Sequence, residues 1–179
     1  MQGLLGLYIG IILVLAAFFI WGRLGYSFTP SYGRGQNRNE GLKHMMSTDP
    51  QQEVIAVAGT PQDEIWDDSN WLEWIKGVHR QGANVKIVFG AEGDTKSEEN
   101  IREMVRDKII EVHRISESET RHFVIGDGRV AHIEEEHPPT VRNPKGIFVE
   151  SLFKRSYMRH EQKFNELWRM GKPQLITTM

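Results

Sequence analysis

Thr120-Arg121-His122-Phe123-Val124-Ile125-Gly126-Asp127-Gly128-Arg129-Val130-Ala131-His132-Ile133 is the stretch on which the fold turns. Two short runs rich in β-branched and aromatic residues flank Asp-Gly, a strong two-residue hairpin signal. The spacing predicts strands over 122–126 and 129–133, turning at Asp127-Gly128. Thr120, His122 and Val124 then lie on one face of the first strand. His132, Glu134 and Glu136 share a face of the second.

Upstream, strand and helix signals alternate. Val54 to Ala58 is a short apolar run stopped by Gly59-Thr60-Pro61, as a buried strand would be. Asp67, Asp68, Ser69 and Asn70 are each able to cap a helix, and Asn70 with Glu73 has capping-box spacing. Trp71, Trp74, Ile75 and Val78 follow on one helical face, and Gly82 ends the element. Val85 to Phe89 is the next strand. A helix from Ser97 turns Ile101, Met104 and Val105 inward, and Ile109 to Val112 is a third strand. A last helix is expected from about Phe148 to Met170, with Phe153, Tyr157, Phe164 and Trp168 along its stripe and Gly171 and Pro173 as stops. The order β-α-β-α-β-β-β-α implies an α/β fold, a mixed β-sheet flanked by helices.

The N-terminal 22 residues, MQGLLGLYIGIILVLAAFFIWG, carry no charge. At 1.5 Å per residue, residues 3–22 are long enough to cross a bilayer core of about 30 Å. A cleaved signal peptide fits less well, because no Lys or Arg precedes Arg23 and Trp21-Gly22-Arg23 is a poor cleavage site. Trp21 suits the interface. Arg23, Arg34, Arg38 and Lys43 after the span, against Glu40, place the N-terminus outside and the C-terminal domain in the cytoplasm by the positive-inside rule. Gly6 and Gly10 are spaced to let another helix approach. Residues 1–25 are therefore expected to be a transmembrane anchor and interface, 26–52 a flexible linker broken by Pro30 and Pro50, 53–172 the domain and 173–179 a tail.

The 179 residues include no cysteine and have a net charge of −2. That excludes disulfides, thiolate metal sites and a cysteine nucleophile, and gives no electrostatic reason to expect nucleic acid. No phosphate-cradling glycine loop, nucleophile elbow or H-E-x-x-H is present.

Residues 53–172 resemble the phospholipase D superfamily, as one degenerate half of that fold. Trp71-Leu72-Glu73-Trp74-Ile75-Lys76-Gly77-Val78-His79-Arg80-Gln81-Gly82-Ala83-Asn84-Val85-Lys86-Ile87-Val88 is similar to its helix, "rGv" turn and following strand. Thr120 to Val130 is similar to the strand-turn-strand that carries H-x-K-x4-D, and Phe164-Asn165-Glu166-Leu167-Trp168 to a terminal "F-x-x-L-W" helix. The resemblance implies a His that attacks phosphorus, a Lys that steadies the phosphate and an Asp that orients the partner motif's His, with two motifs facing each other. Anchored on Asp127, the His position falls on Thr120 and the Lys position on His122. The G-S-x-N that follows falls on Glu134-Glu135-Glu136-His137. The degenerate motif positions are thus Thr120, His122, Asp127, Glu135 and His137. We expect no phosphodiesterase, no cofactor and no metal, with Glu134 to Pro139 a solvated strand end, although a His/Glu cluster there could in principle hold a divalent ion.

The function these signals favour is a non-catalytic, single-pass membrane interaction module, an accessory or stabilising subunit of a larger complex. The bilayer and integral membrane proteins are its expected partners. Gly6, Gly10, Trp21, Trp66 and Trp71 form the candidate partner surface. The alternatives are a divergent phosphodiesterase completed by a homodimer and using His122, or a lipid-headgroup or nucleotide-binding domain with Arg121 and Arg129 beside its cleft.

Overall fold

The computed structural model describes residues 8, 10–17, 19, 32–59, 64–90, 95–116, 121–137, 144–150 and 157–174. The elements in chain order are β1 (Tyr32–Asn37), α1 (Arg38–Met46), β2 (Glu53–Ala58), α2 (Glu64–Asp67), α3 (Ser69–Arg80) and β3 (Asn84–Phe89). They continue with α4 (Thr95–Arg106), β4 (Glu111–Arg114), β5 (Phe123–Gly126), β6 (Val130–Glu134), β7 (Lys145–Glu150), α5 (Met158–Met170) and β8 (Lys172–Pro173). The strands form one mixed sheet in the order β1-β7-β6-β5-β2-β3-β4-β8. β2, β3 and β4 run parallel, joined by helical crossovers, and the remaining neighbours are antiparallel.

Each sheet face buries its own core. Met45 of α1, Trp71, Ile75 and Val78 of α3 and Ile101 and Met104 of α4 pack with Val54, Ile87 and Phe89 on one side. Tyr157, Phe164 and Leu167 at α5 pack with Ile55, Val57, Val88, Phe123 and Ile125 on the other. Helices on both faces explain why β2 and β3 read as unbroken apolar runs rather than alternating ones. α3 is capped by Asp68, whose side chain accepts from the Asn70 backbone N–H at 2.8 Å.

Four expectations are corrected. Residues 32–46 of the expected linker form an edge strand and a helix, and Arg38, Gly41, Leu42 and Met45 of that helix are buried. Phe148 to Glu150 belong to β7, so the last helix starts at Met158; Phe153 lies outside the described residues. Pro173 and Gln174 of the expected tail are held: Lys172 and Pro173 pair with Arg114 and His113, and Gln174 N–H donates to Val112 C=O at 2.9 Å.

The fourth correction is the hairpin register. Asp127 and Gly128 both have positive φ, at 53° and 62°, and Arg129 N–H closes the turn on Gly126 C=O at 3.0 Å. Pairing then resumes at Gly126↔Val130, with Arg129 looped out, instead of starting at residue 129. One extra residue moves every side chain of the second strand across to the other face relative to the first. Val124 therefore pairs with His132, and Glu134 N–H donates to His122 C=O at 3.0 Å.

Residues 8, 10–17 and 19 are helical, and Tyr8, Ile11, Ile12, Leu13, Val14, Leu15 and Phe19 are exposed. Among the described residues no helix is long and apolar enough to cross a membrane.

Candidate functional site

The register of the hairpin brings His122 and Glu134 together where β5 begins and β6 ends. Three residues on, the chain turns His137 back onto the same point. His122 Nδ1 lies 3.3 Å from Glu134 Oε2, His137 Nε2 lies 3.0 Å from the same oxygen, and the two ring nitrogens are 3.1 Å apart. The imidazoles meet edge to face with centroids 4.7 Å apart. The expected solvated strand end is thus corrected in part. The Glu134 side chain is 6% exposed and His137 is buried, while Glu135 and Glu136 are exposed.

The fourth contributor comes from α1. Arg38 Nε donates to Glu134 Oε1 at 2.9 Å and Nη2 to Oε2 at 3.3 Å. Arg38 itself is buried, so it belongs to the folded domain rather than to a flexible linker. Its helix sits close because Gly41, one turn on, rests against the His132 imidazole, and a Cβ there would overlap the ring. Gly146 of β7 closes the other side: its Cβ would meet His132 Cε1 at 2.9 Å. His132 Nε2 is 3.5 Å from Glu134 Oε1, and neither of its ring nitrogens has a hydrogen-bond partner among the described residues. We therefore treat His132 as a packed neighbour of the carboxylate, not a bonded one.

Burial alone would raise the Glu134 pKa. The hydrogen bond from His122, the contact with His132 and the Arg38 guanidinium outweigh it and hold the carboxyl well below the usual range. Glu134 is a fixed anion, neutralised inside the protein.

Asp127 is elsewhere, at the turn. Its carboxylate accepts from the backbone N–H groups of Gln51, Gln52 and Glu53, each at 2.9 Å, and its own N–H donates to Glu53 C=O. It stitches the hairpin to the start of β2. Thr120, Gly6 and Trp21 lie outside the described residues. Gly10 is helical, with open space where a Cβ would be. Trp66 and Trp71 are 5% and 3% exposed, packed edge to face against each other in the core, so they are withdrawn from the partner surface. Arg121 and Arg129 do not flank one cleft. Arg121 sits near Glu136 at 3.6 Å, while Arg129 lines a groove of about 690 Å³ at the other end of the hairpin with His44, Asp49, Asp127 and Glu150.

Among solved structures the fold is similar to Nuc from Salmonella typhimurium, a phospholipase D family member. The TM-score is 0.59 at 13% identity, over 82% of this chain and 95% of that one. The fold is phospholipase D-like. It is also similar to TrmBL2, an archaeal chromatin protein, with a TM-score of 0.53 at 14% identity over 93% of this chain and 63% of that one. No family model and no curated protein sequence matches. At identities this low the structural likeness shows the fold alone and carries over no activity.

Sequence reasoning named His122 and His137 but missed Arg38 and the burial of Glu134. The signal for Glu134 was its place opposite His122 once the turn is lengthened by one residue. The signal for Arg38 was the i, i+3, i+4, i+7 spacing of Arg38, Gly41, Leu42 and Met45, disguised because two of the four are not apolar.

Proposed function

We propose that this chain is a membrane-tethered phospholipase D-like module that has lost phosphodiester cleavage. It acts by binding, as an accessory or stabilising subunit of a membrane complex. The carrying observation is the Glu134 carboxylate. Where the family pattern has a phosphate-gripping lysine and serine loop, this chain has His122 and a buried acid already paired with Arg38 and bonded to both histidines. Glu134 already answers the Arg38 guanidinium, so that cation is engaged inside the protein rather than turned to a phosphodiester. The motif's nucleophile position holds Thr120 where the family pattern has a histidine.

The tether rests on the charge-free run of residues 3–22 and on its exposed apolar side chains. Burying each such side chain contributes about 1.5–3 kcal/mol, so a bilayer or a partner helix is the environment that suits them. Arg23, Arg34 and Lys43 after the run favour the cytoplasmic side for the domain.

The test is purification of the full chain from native membranes in mild detergent, with bound proteins identified by mass spectrometry. Turnover of bis(p-nitrophenyl) phosphate is measured on the same material. Stoichiometric integral membrane partners and no turnover are expected. A lone homodimer with turnover that His122→Ala abolishes would overturn the reading.

A further inference from the structure

We propose that His122, Glu134 and His137 bind one divalent first-row transition-metal ion, with zinc the best fit. The three candidate ligand atoms are His122 Nδ1, Glu134 Oε2 and His137 Nε2, mutually 3.0 to 3.3 Å apart. Nitrogen and oxygen ligands about 2.0–2.1 Å from zinc are separated by about 3.3 Å in a tetrahedron, and by about 3.0 Å at neighbouring corners of an octahedron. The observed triangle therefore has the size an ion requires without movement of the backbone. An ion equidistant from the three atoms sits about 1 Å out of their plane and keeps at least one position open.

The surroundings suit the assignment. Glu134, His137 and His122 have side chains only 6%, 7% and 12% exposed, so the ligands are held before the ion arrives. Arg38 Nε holds Oε1 and leaves Oε2 turned to the histidines, the arrangement by which outer contacts fix a single-oxygen carboxylate ligand. Two imidazoles and one carboxylate favour zinc, cobalt or iron over magnesium or calcium, which prefer all-oxygen sites. Arg38 Nη2, 3.3 Å from Oε2, opposes a second cation, so affinity falls below that of thiolate sites. The ion would tie β5, β6, α1 and the segment after β6 at one point.

The experiment uses the full chain in mild detergent, stripped with chelator and titrated with zinc alone by calorimetry, with magnesium as the control. One zinc per chain is expected, competed by cobalt, with no response to magnesium. Bound cobalt should give the visible bands of a four- or five-coordinate nitrogen–oxygen site. His137→Ala, on the segment after β6, should weaken zinc at least tenfold while circular dichroism stays native, and His122→Asn should do the same. No zinc uptake by the wild-type chain would overturn the proposal and leave both histidines as hydrogen-bond donors to Glu134. So would uptake that both folded variants retain, because the ion would then lie at other histidines. If a variant fails to fold, the cobalt spectrum and histidine nitrogen shifts of the wild-type chain decide the ligand set. Zinc uptake and phosphodiester turnover are read separately. Zinc-dependent turnover would sink the non-catalytic reading and leave the metal site standing.

Discussion

Two glycines in helices should respond in opposite directions to the same substitution. In an exposed helix, alanine is favoured over glycine by about 1 kcal/mol. Gly77 of α3 has no heavy atom within 4 Å of where its Cβ would sit, so Gly77→Ala should stabilise the domain by about 0.5–1 kcal/mol. Gly41 of α1 faces the His132 imidazole, which is 1% exposed and backed by Gly146, so the ring has no room to retreat. Overpacking of this kind costs about 1–3 kcal/mol. If α1 instead lifts away, the overlap is relieved but the Arg38–Glu134 pair is separated, and separating a buried pair costs about 3–5 kcal/mol. After the gain in helix propensity, Gly41→Ala should destabilise by about 2–4 kcal/mol. Urea unfolding followed by tryptophan fluorescence measures both variants against the parent. If Gly41→Ala proved neutral or stabilising, α1 would not be seated on His132, and the route by which Arg38 reaches the site would be wrong.

Asp127→Ala removes a carboxylate that accepts three backbone N–H groups and puts alanine at a φ of 53°. A loss of about 2–4 kcal/mol in the same unfolding assay is expected, with Asp127→Asn intermediate because Asn tolerates that backbone conformation and keeps one acceptor oxygen; an Asn variant as stable as the parent would mean that the charge matters little. Trp71→Ala should cost about 3–5 kcal/mol, and any loss of partner capture should track unfolding, since the side chain is core; capture lost at full stability would restore Trp71 to a partner surface. The His160 pKa is lowered by burial and then by the nearby Arg121 charge. The folded state thus binds fewer protons than the unfolded one. His160 costs nothing above its ordinary value near 6.5, and stability falls as pH drops from there through the lowered folded value. Urea midpoints for His160→Gln should fall less steeply than the parent's between pH 7 and 5, and parallel curves would rule out His160 as the source.

What was legible in the sequence was whatever a periodic pattern of apolar residues could write. β2, β3 and α3 fall where their apolar runs place them, because each buries side chains that also look hydrophobic in isolation, although α3 is capped by Asp68 rather than by an Asn70–Glu73 capping box. α1 was not legible for the opposite reason. Its buried face is Arg38, Gly41, Leu42 and Met45, an ionic anchor and a gap for another residue's ring, and both are silent on a hydropathy scale. β7 was swallowed by the expected last helix because Ile147-Phe148-Val149, too short to show a period, runs toward the apolar stripe of α5.

The site was half legible, and the missing half shows how it is made. His122 and Glu134 were both in view, but the Asp-Gly signal specified a two-residue turn, in which they face opposite sides of the sheet. Arg129 looped out reverses that. Asp127 lies away from the cluster; it fixes the turn against β2 through three backbone N–H groups, and that turn sets the register. A residue at the far end of the hairpin thus determines whether the two candidate ligands meet. It follows that disturbing Asp127 without unfolding the domain should also weaken zinc. Asp127→Asn should lose affinity through misplaced ligands, although it touches none of them, and unchanged binding would mean that the β5–β6 pairing holds its register without the turn.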